Sequence, residues 1–208
     1  MVLDVDSTLC GLEGIDWLAA RRGGNVALES ARLTQQAMDG AIPLDAVYGA
    51  RLKLIKPTLR EIAALSEEYR GTLAPEARRV IQRLRDAGVH LFLISGGIRR
   101  AIEPLARELG IPREDLFAVE LAWDAAGEYV GFDTESPLAT QAGKLEVARA
   151  LSLHRPALAV GDGATDAALR PAVDAFAAFT YYVTRDAVVR QADYVLDSFT
   201  ALERLALP

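Results

Sequence analysis

Pairs of carboxylates occur at two places in the sequence where they could support chemistry. Asp4 and Asp6 flank Val5 directly behind the first apolar residues, and Asp162 and Asp166 belong to the stretch GDGATD. Successive side chains of a strand point to opposite faces, so Asp4 and Asp6 would be neighbours on one face or at one strand end. Their charges would repel each other there. A hard divalent ion with oxygen ligands, such as Mg²⁺, would offset that repulsion.

Two further features of the sequence could bind phosphate. Ser95-Gly96-Gly97 follows the apolar stretch VHLFLI, and Lys144 is the only lysine in the second half of the chain. A hydroxyl and free backbone amides at a helix N-terminus hold phosphate oxygens, and a lysine screens their charge. Each feature alone is explained as well by a helix cap or a turn. Together, four acids, a glycine turn and a lysine at one sheet edge predict a phosphate site, where a carboxylate could attack phosphorus and form an aspartyl-phosphate.

The elements that must position these residues are typical of an α/β protein. A very short strand ends at the first acids, and residues from about 10 to 72 show the periodicity of four helices without a strand. After that, helical and strand patterns alternate, which indicates a parallel sheet covered by helices on both faces. The stretches LFAVELAW and EYVGFD predict a hairpin with a Gly-containing turn.

We therefore predict a Rossmann-like α/β core interrupted after its first strand by an all-helical cap. The core would comprise residues 1–9 and 73–208, and the cap residues 10–72. In open α/β sheets, ligands bind just beyond the carboxyl ends of strands, which is where the acids and the Ser-Gly-Gly turn are expected.

Composition excludes several classes of partner. The net charge of -6 and the pI near 5.0 argue against nucleic acid, since no basic stripe could hold a phosphate backbone. No apolar stretch is long enough to span a bilayer, so a membrane is not expected as a partner. Cys10 is the single cysteine, which excludes an internal disulfide and fits a reducing cytoplasm, the predicted location. A monomer and a homodimer both stay open.

The short motifs resemble those of the haloacid dehalogenase superfamily of phosphatases. The four motifs are Asp4-Val5-Asp6-Ser7-Thr8, Ser95-Gly96-Gly97, Lys144 and Gly161-Asp162-Gly163-Ala164-Thr165-Asp166. Within the superfamily, the chain resembles the phosphoserine phosphatase family along nearly its whole length. The stretches that carry this narrower resemblance are DVDSTLCGLEGIDWLA, QAMDGAIPLDAVYGARLKLIKP, VHLFLISGGIR, GEYVGFD and GDGATD. The residues that most distinguish this family from the rest of the superfamily are Glu13, Met38-Asp39-Gly40 and Arg51.

The resemblance implies a role for each carboxylate in a Mg²⁺-dependent phosphatase. Asp4 would be the nucleophile, and Asp6 the general acid that later becomes the base. The ion would be held by Asp4, the backbone carbonyl of Asp6 and Asp162, with Asp166 in support. Ser95 and Lys144 complete the implied catalytic set.

The resemblance also implies a substrate, O-phospho-L-serine, and the residues that bind it. These are Glu13, Met38, Gly40, Arg51, Ser95, Gly96, Gly97, Lys144, Thr165 and Arg190. Serine carries an α-amino and an α-carboxylate group, so its recognition needs one acid and one base. Arg51 could bind the carboxylate bidentately, which lysine cannot do, and Glu13 would take the ammonium group.

Two alternatives share the same fold. The aspartyl-phosphate could be transferred to homoserine or another alcohol, or the substrate could be a different small phosphomonoester. In a third hypothesis, from another class, the chain binds a phosphoamino acid without turnover. Fold alone does not decide among them.

Overall fold

The computed structural model describes residues 1–38, 44–151 and 153–207. The strands are β1 (Val2–Leu3), β2 (Phe92–Ile98), β3 (Leu116–Val119), β4 (Leu121–Trp123), β5 (Tyr129–Phe132), β6 (Leu158–Gly161), β7 (Ala175–Phe179) and β8 (Tyr194–Leu196). A sheet in the order β3-β2-β1-β6-β7-β8 forms the centre, and every neighbouring pair in it is parallel. Strands β4 and β5 form a separate antiparallel hairpin.

The helices alternate with the strands only after residue 72. They are α1 (Gly14–Arg21), α2 (Gly24–Met38), α3 (Leu44–Ile55), α4 (Leu59–Gly71), α5 (Ala77–Asp86), α6 (Arg99–Glu108), α7 (Gly143–Ala150), α8 (Ala164–Ala167), α9 (Asp186–Val189) and α10 (Phe199–Ala206). Short 3-10 turns cover Arg113–Asp115, Pro137–Ala139 and Arg170–Ala172. Helices α1 to α4 follow one another between β1 and α5, so the predicted fold class, a parallel α/β core with helices inserted after its first strand, is confirmed.

Local sequence explains where the inserted helices begin and end. Thr58 is the N-cap of α4, and its hydroxyl accepts a hydrogen bond from the Glu61 amide while the Glu61 carboxylate accepts one from the Thr58 amide. This reciprocal arrangement satisfies two otherwise unpaired amides of the first turn. Gly23 separates α1 from α2 with a φ of 95°, a conformation that glycine adopts without strain.

The core lies on both sides of β1. Val2 and Leu3 are almost fully buried, as expected for a central strand covered on both faces. Val2 pairs with Phe92 of β2 on one side and with Ala159 of β6 on the other. Because the three strands are parallel, the residues that follow β1 lie between the later part of β2 and the end of β6. Among the described residues, none of the helices combines the length and apolar character that a membrane crossing requires.

Two details of the sequence-based expectation are wrong. The run LFAVELAW is not one strand of a hairpin, because Leu116–Val119 joins the central sheet and only Leu121–Trp123 pairs with β5. Ser95-Gly96-Gly97 is not a turn after β2 but belongs to the last part of that strand, where the register with β3 shifts between Ile94 and Ile98. Such an irregularity at a strand end redirects the chain.

Candidate active site

A cleft with a volume of about 310 Å³ opens at the carboxyl ends of β1, β2 and β6. Its wall comes partly from these strand ends and partly from helices α1 and α3. Most of the residues singled out from the sequence line it, namely Asp4, Asp6, Glu13, Arg51, Ser95, Gly96, Gly97, Lys144, Asp162, Thr165 and Asp166. The parallel order of the three strands brings these distant parts of the chain together.

Lys144 connects two of the acids at the floor of the cleft. Its Nζ lies 2.6 Å from Asp4 Oδ1 and 2.7 Å from Asp166 Oδ1. All three side chains are buried, so the ion pairs are poorly screened by solvent. Burial alone would lower the pKa of Lys144, but the attraction of the Asp166 and Asp4 carboxylates raises it above its usual value. The lysine is therefore a permanent cation beside Asp4.

Asp166 is held in place from two sides. Its Oδ1 accepts the hydrogen bond from Lys144, and its Oδ2 accepts one of 3.0 Å from the Gly163 amide. Gly161 leaves the space that this carboxyl group occupies, because a Cβ at that position would lie 2.1 Å from Asp166 Cγ. The glycine at the end of β6 is thus required by a close approach rather than by a turn.

Three buried carboxylates form a cluster that fits a divalent cation. Asp4, Asp162 and Asp166 each offer one oxygen, and these oxygens lie within 4.8 Å of one another. Thr8 Oγ1 donates a hydrogen bond of 3.2 Å to Asp162 Oδ1. Asp162 Oδ2 lies 2.9 Å from Arg185 Nη2 in an ion pair but accepts no hydrogen bond from the described residues. A buried carboxylate oxygen that accepts no hydrogen bond is a suitable ligand for a hard metal ion.

The crowding of these acids changes their protonation. Burial, followed by repulsion from Asp166, raises the pKa of Asp4 well above its usual value, although Lys144 opposes the change. Burial and the same neighbour raise the pKa of Asp162 to about 6, against the effect of Arg185. The cluster is thus short of positive charge, which a bound cation would supply.

Asp6 lies beside the cluster but has different partners. Its Oδ1 accepts a hydrogen bond of 2.6 Å from the Tyr69 hydroxyl, and its Oδ2 accepts one of 2.9 Å from the Gly14 amide. Burial, and next the carboxylate of Glu13, raise the pKa of Asp6 to about 7, although both hydrogen bonds act in the opposite direction. A carboxyl group with such a pKa can both donate and accept a proton near neutral pH. The oxygens of the Asp6 side chain do not belong to the cluster of Asp4, Asp162 and Asp166.

The end of β2 supplies the side of the cleft that could hold an anion. Ser95 is almost fully buried, and its Oγ accepts a hydrogen bond of 2.9 Å from the Gly97 amide. Gly96 and Gly97 carry no side chain between the backbone and the cleft, so a ligand could approach the backbone closely there. Lys144 and these backbone groups line the same cleft.

Glu13 and Arg51 face the cleft from the helical segment. Ser7 donates a hydrogen bond of 2.6 Å to Glu13 Oε1, and Ser7 itself adopts a φ of 53°, which turns the chain sharply after Asp6. Arg51 Nε donates a hydrogen bond of 2.8 Å to Ser30 Oγ, and the guanidinium also pairs with Asp16. The helical segment therefore contributes both an acid and a base to the wall of the cleft.

The sequence singles out three further residues, and the structure describes the side chain of Arg190 alone. Arg190 follows the last residue of α9, is exposed, and is not among the described residues that line the cleft. Met38 is the last residue of α2, and its side chain lies outside the described part of the structure. Gly40 lies outside the described residues altogether.

Arg185, which sequence reasoning missed, lines the cleft instead of Arg190. Its Nη2 lies 2.9 Å from Asp162 Oδ2 and 3.7 Å from Glu13 Oε1. It precedes α9, whereas Arg190 lies at the opposite end of that short helix. No local signal in the sequence separates the two arginines, because they flank the same short helix and only the fold decides which of them faces the cleft.

The class of protein follows from this fold, this cleft and a comparison with known families. The family described as haloacid dehalogenase-like hydrolase matches residues 1–170. The chain belongs to the haloacid dehalogenase-like hydrolases, as the four motifs predicted.

Within that class, the chain is a relative of the phosphoserine phosphatases. It is 40% identical over 202 residues to the phosphoserine phosphatase of Bos taurus, covering 96% of this chain and 89% of that protein. It is 36% identical over 204 residues to the chloroplastic phosphoserine phosphatase of Arabidopsis thaliana, covering 96% of this chain and 68% of that protein. The crystal structure of a phosphoserine phosphohydrolase-like protein from Francisella tularensis superposes with a TM-score of 0.86 at 27% identity, covering 99% and 98%. The predicted resemblance is confirmed.

Proposed function

We propose that this protein is a Mg²⁺-dependent phosphatase that hydrolyses O-phospho-L-serine to L-serine and phosphate. One observation supports the proposal: a single cleft is lined by a buried carboxylate paired with Lys144 and, from the helical segment, by an acid and an arginine. The carboxylate and Lys144 suit a phosphoryl group, and the acid and the arginine suit the α-ammonium and α-carboxylate groups of an amino acid. The relatives named phosphoserine phosphatase support the same substrate.

In the first step, a carboxylate oxygen of Asp4 would attack phosphorus. The bond from phosphorus to the serine oxygen breaks as the bond to Asp4 forms, and Asp6 gives its proton to the departing serine oxygen. Lys144, the Ser95 hydroxyl and the backbone amide of Gly96 would hold the phosphoryl oxygens while charge moves onto them. The products of this step are free serine and an aspartyl-phosphate.

In the second step, water would attack the phosphorus of the aspartyl-phosphate. Asp6, now without its proton, accepts one from the water as the bond from phosphorus to Asp4 breaks. Free phosphate and the starting protonation of both carboxyl groups result. Mg²⁺ bound by Asp4, the Asp6 carbonyl, Asp162 and Asp166 would supply charge neutralisation at the phosphoryl oxygens.

The specificity for serine would come from Arg51 and Glu13. Arg51 is fixed by Ser30 and Asp16, so its guanidinium loses little freedom when it binds a carboxylate. Glu13 is fixed by Ser7 and would bind the substrate ammonium group. Thr165 and Arg185 line the same cleft and complete the proposed contacts with substrate.

Residues 10–72 would act as a cap over the cleft. Helices α1 and α3 contribute Glu13, at the start of α1, and Arg51 to its wall, so the cap would bring specificity and closure together. Closure would exclude bulk water while Asp4 is phosphorylated, and the cleft must then admit one water.

The experiment that tests the proposal measures phosphate release from O-phospho-L-serine with Mg²⁺ and with a chelator. We expect metal-dependent release, and slower release from phosphoethanolamine, which lacks the carboxylate that Arg51 would bind. The variant Arg51→Lys should lose about 10–100-fold in kcat/KM for O-phospho-L-serine, since a bidentate charged contact is lost, but stay within about twofold for phosphoethanolamine. A folded wild-type protein without metal-dependent release would refute the proposal. Equal losses for both substrates would refute the role of Arg51.

A further inference from the structure

We propose that Tyr69 is a positioning residue that holds the carboxyl group of Asp6 in the orientation needed for proton transfer. This inference rests on the proposed phosphatase function. The Tyr69 hydroxyl donates a hydrogen bond of 2.6 Å to Asp6 Oδ1. Tyr69 lies in α4, far along the chain from Asp6, and its side chain is completely buried. A buried tyrosine hydroxyl needs a partner, and here the partner is the proposed general acid.

The surroundings of the Tyr69 hydroxyl leave it a closely fitted space. A Cβ at Gly14 would lie 2.3 Å from Tyr69 Oη, and a Cβ at Gly97 would lie 3.3 Å from it. The main chain is also tied to the loop behind Asp6, because the Cys10 thiol donates a hydrogen bond of 3.2 Å to the Tyr69 carbonyl. Ring, hydroxyl and backbone of Tyr69 are thus all fixed relative to Asp6.

Asp6 is held at both oxygens by the inserted helices. Tyr69 of α4 bonds Oδ1, and the amide of Gly14, the first residue of α1, bonds Oδ2 at 2.9 Å. Two donors on opposite oxygens stop the carboxyl group from rotating. Each oxygen of a carboxyl group has a second lone pair, so either can still carry the transferable proton. The two hydrogen bonds therefore orient the Asp6 carboxyl group and still leave it able to donate or accept a proton.

Orientation matters because Asp6 would act twice, first on the serine oxygen and then on water. A positioned general acid or base typically contributes about 10²–10⁴-fold to a rate. Losing one of the two hydrogen bonds that orient Asp6 should remove part of this contribution. We expect kcat to fall about 10–100-fold. Tyr69 does not line the cleft, so substrate affinity should be nearly unchanged.

Tyr69→Phe tests this with the ring kept and the hydroxyl removed. The matched control is Tyr182→Phe, because the Tyr182 hydroxyl donates a hydrogen bond of 2.9 Å to the Thr72 carbonyl at the end of α4 without touching Asp6. With O-phospho-L-serine, Tyr69→Phe should lower kcat about 10–100-fold and leave KM within about twofold. Tyr182→Phe should leave both within about twofold. A kcat for Tyr69→Phe within twofold of wild type would overturn the proposal.

A second measurement separates positioning from a general structural effect. When acetyl phosphate reacts, the leaving group is acetate, which needs no proton. Transfer of the phosphoryl group from acetyl phosphate to Asp4 should therefore not depend on the general acid. In acid-quenched single turnovers, Tyr69→Phe should form phosphoenzyme from acetyl phosphate at nearly the wild-type rate and from O-phospho-L-serine much more slowly. Equal slowing with both donors would overturn the proposal. If Tyr69→Phe does not fold, Tyr69→Met also removes the hydroxyl while keeping an apolar side chain, and the same difference between the two phosphoryl donors is expected.

The two proposals fail in different ways. Wild type that forms phosphoenzyme from acetyl phosphate but releases nothing from O-phospho-L-serine would refute only the substrate. Breakdown of that phosphoenzyme, for which Asp6 would be the base, should still be about 10-fold slower in Tyr69→Phe. Normal turnover of O-phospho-L-serine by both wild type and Tyr69→Phe would refute only the role of Tyr69.

Discussion

Replacing Lys144 by methionine should destabilise the protein more than any ordinary surface substitution. Methionine keeps much of the length and apolar volume of lysine but removes the charge that lies 2.6 Å from Asp4 and 2.7 Å from Asp166. Removing one partner of a buried ion pair leaves an uncompensated charge, which typically costs about 3–5 kcal/mol of unfolding free energy. We expect a loss in that range at pH 7 without divalent ions.

The magnitude follows from the two contacts. At these separations and an effective dielectric constant of about 20, each pair attracts by about 6 kcal/mol. The expected loss is smaller than the sum of both, because the variant no longer buries an ammonium group and because Asp4, whose pKa burial already raises, takes up a proton once Lys144 is gone. A typical domain stability of about 5–15 kcal/mol leaves most of the expected range compatible with a folded variant.

The assay is urea denaturation followed by circular dichroism, with Lys53→Met as the control. Lys53 is exposed, so its replacement should change the unfolding free energy by less than about 0.5 kcal/mol. Lys144 opposes the rise in the pKa of Asp4 in the wild type, so without Lys144 that pKa lies still further above its unfolded-state value, and the folded variant gains more stability than the wild type as the pH falls. The difference from wild type should therefore narrow between pH 7 and pH 5. A loss below about 1 kcal/mol at pH 7 would refute the reasoning.

Two further predictions concern the carboxylate cluster of Asp4, Asp162 and Asp166 and the packing of Gly143 at the start of α7. Mg²⁺ should raise the Tm of the wild type, and Asp162→Asn should remove at least half of that rise, since a neutral amide replaces a carboxylate ligand. Equal rises in Tm for the two proteins in thermal melts would contradict the prediction that the carboxylate cluster binds the ion. Gly143→Ala should lower the unfolding free energy by about 1–3 kcal/mol, because its Cβ would lie 1.8 Å from the Pro137 carbonyl oxygen. Gly71→Ala, whose Cβ would meet nothing within 4 Å, is the control, and equal chemical-denaturation curves for the two would contradict the prediction.

The part of the site that the sequence predicts well is the part built by strand ends. Asp4 and Asp162 each follow an apolar run, and the parallel order of β1 and β6 then requires that they meet. The inserted helices were predictable for a similar reason, since periodicity and Gly or Pro residues mark helices independently of tertiary contacts.

The part that could not be predicted depends on contacts between distant or aperiodic segments. Nothing local marks Tyr69 as the partner of Asp6, because a tyrosine at a buried helix position is ordinary and 63 positions separate the two. Arg185 and Arg190 belong to one polar stretch without periodicity, so only the fold decides which faces the cleft. LFAVELAW was mistaken for one strand because nothing in an apolar run of that length reveals that the chain leaves the central sheet at Glu120.

The central place of β1 has a consequence for biosynthesis. Val2 and Leu3 cannot complete their pairing until Phe92 and then Ala159 have left the ribosome, so β1 waits for residues that are made much later. Helices α1 to α4 emerge meanwhile and can form local structure, whereas pairing between such distant positions is slow because a large loop must first close. A nascent chain that stops before β6 therefore has Asp4 without Asp162 and Asp166 beside it, and the proposed site can form only after those residues have emerged.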